Sequence, residues 1–483
     1  MKNNLNEILG IKTSFKIKED NNIQISSRSI NNKSIFFAFQ GVNSHASEYI
    51  NDALNKGAEL VIHDDRKYQS DKENIFYIQD LRKRFLKFLI IFYGINLKNF
   101  SFIGITGTNG KTTTSYFLYQ MLLSLKKNAH YIGTIGYFSK NKIQDAGTTT
   151  PSIVDLMNYL KGLKPNEKHY IVMEVSSHAL DQDRLFGLEF DTGAILNIKS
   201  DHLDYHQSIT NYVNAKFKLA RFCKSIIVNI DSNKNYKNLK LKYLSLSNSK
   251  KTADYFYKIN HHKIEGSKIT LTALKKKYSL DTNIFLDFNI ENFVFAISLL
   301  HAILEEFNIG DINVKNLIMP KGRSDYFLVN KKNIIIDYAH NPDAMENLLK
   351  EVNKKFDKLI VVFGCGGDRD KLKRPEMLNI ACSYSDNVIF TSDNLRNETF
   401  KSIKNDASRG NEISNVRFIK DRSLAIKCGY QDLMDNDCLL ILGKGHETTQ
   451  EIKGRKIFYS DYEVVNAFNW IDFWVSEIIW RRN

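Results

Sequence analysis

Residues able to do chemistry gather in a few short stretches, the first being "FIGITGTNGKTTT" (102–114). An apolar, β-like run ends there in Gly107-Thr108-Asn109-Gly110-Lys111-Thr112-Thr113, and a helical pattern follows. Glycines at a strand–loop–helix junction let backbone N–H groups converge on phosphate oxygens at the positive end of the helix. Lys111 supplies a charge for the β- and γ-phosphates, and Thr112 a hydroxyl that can reach Mg²⁺. The spacing is tighter than the common pattern of Gly, four residues, Gly-Lys-Ser/Thr, which would need glycine where Ile105 stands.

The second stretch, "MEVSSHALDQDRL" (173–185), runs off another β-like segment. Glu174 is either a Mg²⁺ ligand beside the loop or a solvated strand end. Ser176, His178, Gln182 and Arg184 are donors suited to a substrate that carries carboxylates. A Ser/His hydrolase would need a G-x-S-x-G elbow, which this stretch lacks. The third stretch is "NIKSDHLDYHQSITNYVNAKF" (197–217). His202 and His206, four apart, read either as a metal pair on a helix or as local caps. Lys216 lies between Ala215 and Phe217. Burial there would lower its pKa, and a neutral lysine can take up CO₂ to become a carbamate, an oxygen ligand for a metal.

The fourth cluster is spread over "GRSDYF" (322–327), "DYAHNPDAM" (337–345), "GCGGDRDKLKRPEM" (364–377), "SDNLRNET" (392–399) and "GKGHET" (443–448). Each is a plausible turn by itself. Together, at successive strand ends, they point to a ligand site, because open α/β sheets bind ligands beyond the carboxyl ends of their strands.

The elements that must position these groups alternate. Strand-like "SIFFAF", "AELVIH" and "NIFYIQ" surround a helical "ASEYINDALNKGA", and the helical "LRKRFLKFLIIFYGI" leads into "FSFIGIT". Further strands are expected at 170–177, 192–198 and 225–230, then in "NIIIDYA", "KLIVVFGCGG", "NVIFTSD" and "CLLILGKG". Such alternation predicts an α/β fold with mainly parallel sheets. Residues 231–280, rich in Lys, Asn and Ser, carry short β runs in a less orderly pattern. A chain of 483 residues suits about three domains, with boundaries expected at 1–97, 98–318 and 319–483.

Composition narrows the function classes. The apolar fraction of 43% supports a sizeable core. The net charge of +14 favours anionic partners, but the lysines are scattered, as in "KNLKLK" (237–242), and read as solvated surface rather than a nucleic-acid face. Five cysteines without a C-x-x-C argue for reduced thiols in a cytoplasm and against a zinc site or disulfide framework. No apolar signal core opens the chain, and no run of about 18 apolar residues would span a membrane. The aromatic tail "FNWIDFWVSEIIWRRN" is broken by Asp472 and Glu477 and is expected to pack as a terminal helix.

In order along the chain, "GTNGKTT", "EVSSHAL", "DHLDYH", "NYVNAK", "DYAHNPDAM", "FGCGGDRDKLKRPEM" and "GKGHE" resemble the motifs of the Mur ligases of peptidoglycan synthesis. The likeness spans about residues 24 to 465 and is strongest to the members that add the third residue of the peptide. It implies an N-terminal UDP-binding domain, a central ATPase and a C-terminal Rossmann-like domain that receives the amino acid. The implied reaction is ATP-driven amide synthesis through an acyl phosphate, by a cytoplasmic enzyme expected to be a monomer. Its substrates would be ATP, UDP-N-acetylmuramoyl-L-alanyl-D-glutamate and an amino acid, with two Mg²⁺ ions.

By motif match the resemblance assigns the loop 107–113 to ATP, with Asn289 and Asn292 beside the adenine and Arg323, Asp337 and Lys371 closing over the nucleotide. Thr112 and Glu174 would hold one Mg²⁺. Glu174, His202 and a carbamylated Lys216 would hold or orient the second, whereas His206 inherits no metal role. Ser27, Arg28, Thr149, Thr150, Ser176, Gln182 and Arg184 match contacts to the UDP-muramoyl-peptide. Asp393, Asn394, Arg396, Gly443 and Glu447 match the amino-acid site. The family's diaminopimelate signature, Asp-Asn-Pro-Arg, stands here as Asp393-Asn394-Leu395-Arg396. The retained guanidinium suits a distal carboxylate that lysine lacks, so meso-diaminopimelate is expected over lysine. Arg396 and "GKGHE" likewise speak against a folylpolyglutamate enzyme. The N-terminal domain departs from the pattern at Ser26, His45 and Ala46, where the family carries Asp, Asp and Gly. Those departures suggest the alternative of a protein that binds without catalysing.

Overall fold

A computed structural model describes residues 8–11, 13, 15, 17–18, 20–41, 44–199, 201–232, 242–304, 306–410 and 414–468. Near the N-terminus, β1 (Asn22–Gln24), β2 (Ser34–Ala38), β3 (Ala58–His63) and β4 (Ile75–Tyr77) form a parallel sheet in that order. The β2 strand is buried throughout, as a parallel strand covered on both faces must be. The helix Leu81–Tyr93 covers this sheet with Phe85 and Phe88, whose rings lie 4.4 and 5.1 Å from Phe37. Each such buried aromatic contributes about 1.5–3 kcal/mol. Gly94, at φ 67°, ends the helix in the left-handed turn that glycine adopts without strain.

The central sheet comprises β5 (Phe100–Thr106), β6 (Asn128–Gly133), β7 (Gly136–Ser139), β8 (Asn141–Gln144), β9 (His169–Glu174), β10 (Phe190–Ile195), β11 (Cys223–Asn229), β12 (Leu244–Ser247), β13 (Tyr255–Lys263), β14 (Gly266–Ala273) and β15 (Lys276–Thr282). Its order is β15-β14-β13-β12-β11-β10-β5-β9-β6-β7-β8. The neighbours β10, β5, β9 and β6 are mutually parallel, and β7 and β8 pair antiparallel at the edge. Register aligns Ile195 with Thr106, and Ile105 with Glu174, so the functional stretches leave the sheet at one end. The segment that reads as disorderly in sequence forms regular strands β12–β15. In β14 every second side chain is buried, an alternation that its many lysine-rich neighbours mask.

A third sheet holds β16 (Asp325–Val329), β17 (Lys332–Asp337), β18 (Leu359–Phe363), β19 (Asn387–Phe390), β20 (Val416–Phe418) and β21 (Cys438–Leu442), in the order β16-β17-β21-β18-β19-β20. All its pairs are parallel except β16–β17. A hairpin of β22 (Thr449–Ile452) and β23 (Arg455–Phe458) follows. The helix Pro342–Val352 starts where Asn341 caps it and proline takes the first turn.

By compactness the chain divides into two units. The first holds residues 1–258, 271–278 and 294–312; the second holds 259–270, 279–293 and 313–483. The architecture is thus α/β, with three separate sheets and large, mainly parallel ones among them. Phe468 stacks on Tyr430 at 4.0 Å, while residues 469–483 of the aromatic tail, and 237–241 of the lysine cluster, lie outside the described residues. Among the described residues no helix is long and apolar enough to cross a membrane.

Candidate active site

The loop after β5 is held from two sides. Val175 N donates to Ile105 O (2.8 Å), Leu196 N to Thr106 O (2.9 Å) and Thr108 N to Asn197 O (2.8 Å). Ile105 is fully buried within β5, so the strand occupies the place where a longer loop would begin. That is the physical reason for the tighter glycine spacing. Gly110, at φ 86°, turns the chain into the helix Lys111–Ser124. A Cβ on Gly107 would stand 3.0 Å from Leu196 Cβ and 3.1 Å from Asn109 O. Lys111 Nζ donates to Gly107 O (2.7 Å) and Thr108 O (2.9 Å), which places its charge at the loop's mouth.

Glu174, at the end of β9, is fully buried and accepts on both oxygens. Oε1 takes Tyr131 OH and Thr134 N (2.9 Å); Oε2 takes Thr112 Oγ1 (3.0 Å) and Thr134 Oγ1 (3.1 Å). Four donors occupy the four acceptor positions of a carboxylate. A Cβ on Gly133 would meet Glu174 Oε1 at 2.3 Å, so only glycine lets β6 pass so close. A hard cation such as Mg²⁺ fits this oxygen set, because Thr112 and Glu174 already meet, and a cation held by both would replace their hydrogen bond. Among the described residues no three His, Cys, Asp or Glu side chains form a group that could hold a metal ion, so further protein oxygens would have to come from elsewhere, such as a carbamate.

Lys216, on the helix Ile209–Phe217, is more completely buried than its neighbours in sequence imply. It is 1% exposed. Its Nζ donates to Gly107 O (2.8 Å) and lies 4.5 Å from the centre of the Tyr212 ring. Burial pushes its pKa well below the ordinary lysine value, the Lys111 cation adds to this, and Asp201 opposes. The amine form that reacts with CO₂ is therefore favoured directly beneath the phosphate loop.

His202 precedes the helix Leu203–His206 in a left-handed conformation (φ 51°), so of the two histidines only His206 stands on the helix, although both rings lie near Tyr212. His206 is buried, with Nε2 3.0 Å from Ser177 Oγ. The His202 ring centre lies 4.9 Å from that of His178. Partial burial lowers the His202 pKa to about 4, and His178 and Lys111 add to this, against Asp201. His202 therefore presents a neutral imidazole.

Five of the predicted muramoyl-peptide contacts, Thr149, Thr150, Ser176, Gln182 and Arg184, lie together near the end of β9, and Ser27 and Arg28 do not join them. Thr150 Oγ1 donates to Glu174 O (2.8 Å) and accepts from Ser176 N (2.9 Å). Thr149 Oγ1 is 3.3 Å from Thr134 Oγ1. Arg184 donates to Gln182 Oε1 (2.8 Å) and Thr150 O (3.3 Å). Farther along the first unit, Ser26 caps the short turn Ser27–Ser29 and Arg28 is exposed. His45 caps the next turn through Nδ1 and binds Asp64 through Nε2 (2.9 Å), performing the capping that an aspartate would. Two of the three N-terminal departures, Ser26 and His45, thus act as caps.

In the second unit, Asn289 and Asn292 are buried and bonded to each other (3.3 Å). Asp337 accepts from Ser324 N and Ala339 N, both at 2.6 Å, and burial raises its pKa while Arg323 opposes. The Arg323 guanidinium lies 4.7 Å over Tyr338. Lys371 is mostly exposed, 3.7 Å from Glu398.

The amino-acid residues meet where the loops after β19 and β21 face each other. Asn394 Nδ2 donates to Glu447 Oε2 (3.0 Å). Gly443, at φ 103°, comes so close to Asp393 that a Cβ would lie 2.8 Å from Oδ2. Arg396 Nη1 donates to Gly367 O (2.7 Å), and Nε lies 3.4 Å from Glu451 Oε2. Several neighbours carry no sequence signal that singles them out. Tyr131 and Thr134 reach Glu174 across the sheet, Asn197 holds Asn109 N (2.9 Å), and Arg369 comes to Gly366 beside Arg396. Lys444 was visible inside "GKGHE", but only the fold gives it partners.

Comparison with known proteins extends these observations. Residues 105–300 match the Mur ligase middle domain, and residues 322–445 the Mur ligase glutamate ligase domain. The UDP-N-acetylmuramoyl-L-alanyl-D-glutamate–2,6-diaminopimelate ligase of Clostridium perfringens is 35% identical over 460 residues, covering 92% of this chain and 94% of its own. A solved structure of a ligase of that name aligns with a TM-score of 0.68 and 28% identity, over 97% of this chain and 99% of its own. The MurF ligase of Thermotoga maritima, solved with ADP, shares the fold, with a TM-score of 0.60 and 17% identity over 88% of this chain and 94% of its own. Identity at this level along the length of both chains, on a shared fold, places the protein in the Mur ligase family.

Proposed function

We propose that the protein joins meso-2,6-diaminopimelate to UDP-N-acetylmuramoyl-L-alanyl-D-glutamate at the expense of ATP, in peptidoglycan precursor synthesis. The observation that supports this amino acid over lysine is the fixed guanidinium of Arg396. Its bonds to Gly367 O and toward Glu451 leave hydrogens on Nη1 and Nη2 for a distal carboxylate. Glu447, across the same site, is the acceptor for the distal ammonium.

In the first step the D-glutamate side-chain carboxylate attacks the γ-phosphorus of ATP. The bond from that phosphorus to the β-bridging oxygen breaks, leaving an acyl phosphate and ADP. The loop N–H groups and Lys111 hold the β- and γ-oxygens, and Lys111 offsets the charge that builds on them. Thr112 and Glu174 are the residues that would hold Mg²⁺ with Lys216 and His202 beside them; such an ion, when bound, neutralises phosphate charge. In the second step the incoming amine attacks the acyl carbon, loses a proton, and phosphate leaves from the tetrahedral intermediate. Thr150, Ser176, Gln182 and Arg184 orient the muramoyl-peptide, and the burial of Glu174 and Lys216 keeps water from the reacting end. Ser27 and Arg28 serve the UDP moiety, Thr149 the peptide, and Asn289, Asn292, Arg323, Asp337 and Lys371 the nucleotide. Domains at 1–97, 98–318 and 319–483, a monomeric state and a cytoplasmic location belong to the same reading.

The test supplies ATP, Mg²⁺, UDP-muramoyl-dipeptide and either diaminopimelate or lysine, and follows phosphate release and product mass. Release with diaminopimelate and a product heavier by one such residue is expected. Release only with lysine overturns the substrate assignment. Hydroxylamine added without amino acid should trap the activated acid as a hydroxamate.

A further inference from the structure

The loops that carry the amino-acid residues come from different strands, and something must fix their spacing. Lys444 does so. Its side chain is fully buried, and Nζ donates to Glu447 Oε2 (2.8 Å) and to Asn394 Oδ1 (3.3 Å). Asn394 Nδ2 closes the triangle on the same Glu447 oxygen (3.0 Å), and Glu451 N donates to Asn394 Oδ1 (2.9 Å). Glu447 Oε2 is thereby held by two donors. Among the described residues Oε1 has the long contact to Tyr338 OH (3.5 Å) alone, so one carboxylate oxygen is presented and the other anchored. The Asn394 amide is largely committed to the triangle: its oxygen takes two donors and its nitrogen one acceptor.

We propose that Lys444 is a positioning residue for amino-acid selection: it cross-links Asn394 and Glu447 so that Glu447 Oε1 meets the distal ammonium of the incoming diamino acid. The inference rests on the ligase reading above. A buried ammonium suits this task because three tetrahedral donors can tie two loops at once. Asn394 then acts chiefly as the strut between the two, and a single rotation of Glu447 would require breaking both bonds on Oε2.

The experiment compares meso-diaminopimelate with 2-aminopimelate, which keeps the distal carboxylate and lacks the distal amine. Steady-state rates are measured for the native protein, Lys444→Met, Lys444→Arg, Glu447→Gln and the double variant Lys444→Met/Glu447→Gln. The native protein should favour diaminopimelate. Lys444→Met should reduce that preference at least tenfold through KM for the amino acid, with KM for ATP unchanged, and Lys444→Arg should restore part of it. In the Glu447→Gln background, Lys444→Met should have little further effect, since the two act through one contact. Equal losses on both amino acids, or additive losses in the double variant, overturn the proposal and leave Lys444 a structural lysine. If the native protein turns over neither amino acid, the ligase reading itself fails, an outcome distinct from the other two.

Discussion

Replacing Arg396 by alanine isolates the group proposed to recognise the distal carboxylate. The backbone at Arg396 is left-handed, at φ 49°, and alanine bears the same strain there as arginine, so the variant changes the side chain without altering the backbone cost. The guanidinium is 21% exposed and is oriented by Gly367 O and Glu451. Two charge-assisted hydrogen bonds to a carboxylate are worth about 1.5–3 kcal/mol each. Partial exposure argues for the low end, about 3 kcal/mol together, which is roughly 150-fold in kcat/KM for diaminopimelate. Gly367 O and Glu451 lose a donor; Glu451 is partly exposed but Gly367 is buried, so the fold should be weakened by about 1–3 kcal/mol. The assay is phosphate release with diaminopimelate and ATP varied in turn, alongside thermal unfolding. KM for ATP should move less than about threefold. Equal increases in both KM values, or an unchanged value for diaminopimelate, would refute the assignment of Arg396 to the amino acid.

Three further outcomes are expected. Gly133→Ala would push a methyl group against Glu174 Oε1, 2.3 Å away, and should raise the Mg²⁺ concentration needed for half-maximal turnover; an unaltered Mg²⁺ titration would count against Glu174 as a ligand. Lys216→Ala should abolish ligation, with partial return on adding a short carboxylic acid, and absence of rescue would count against the carbamate. Acid should destabilise the protein through His130, which burial, and His169 secondarily, hold at a pKa of about 4. His169 Nε2 donates to Lys164 O (2.9 Å), so its Nδ1 accepts from His130 Nε2 (3.0 Å), and His130 Nδ1 accepts from Tyr159 OH (2.8 Å). The folded pKa lies below the unfolded value of about 6.5, so this stability is complete above pH 6.5 and lost as pH falls toward 4, by about 3 kcal/mol. Unfolding midpoints of the native protein and His130→Gln, measured between pH 7 and 4.5, should converge as pH drops; parallel curves would remove His130 as the cause.

Much of this molecule was legible before folding because the signals are local. The run "FSFIGIT" coincides with β5, "AELVIH" with β3, and Asn341-Pro342 marks the start of its helix, since strand burial, capping and proline geometry act within a few residues. The phosphate loop could be singled out for the same reason, its glycine spacing being written in consecutive positions, whereas the expected roles of Glu174 and Arg396 came from the resemblance to family motifs. Tertiary structure alone decided which side chains meet. Lys216 lies beneath Gly107, 109 positions away, and Tyr131 reaches Glu174 from 43 positions off. Lys444 joins Asn394 across 50. These partnerships follow from strand order, which sets β6 beside β9 and gathers the loops after β19 and β21. Strand order is fixed by the burial of whole faces, a property of the assembled sheet that no short stretch contains. The same holds for protonation: the residue type alone gives Lys216 an ordinary lysine pKa, and only enclosure by the folded chain, with Lys111 close by, pushes it well below that value.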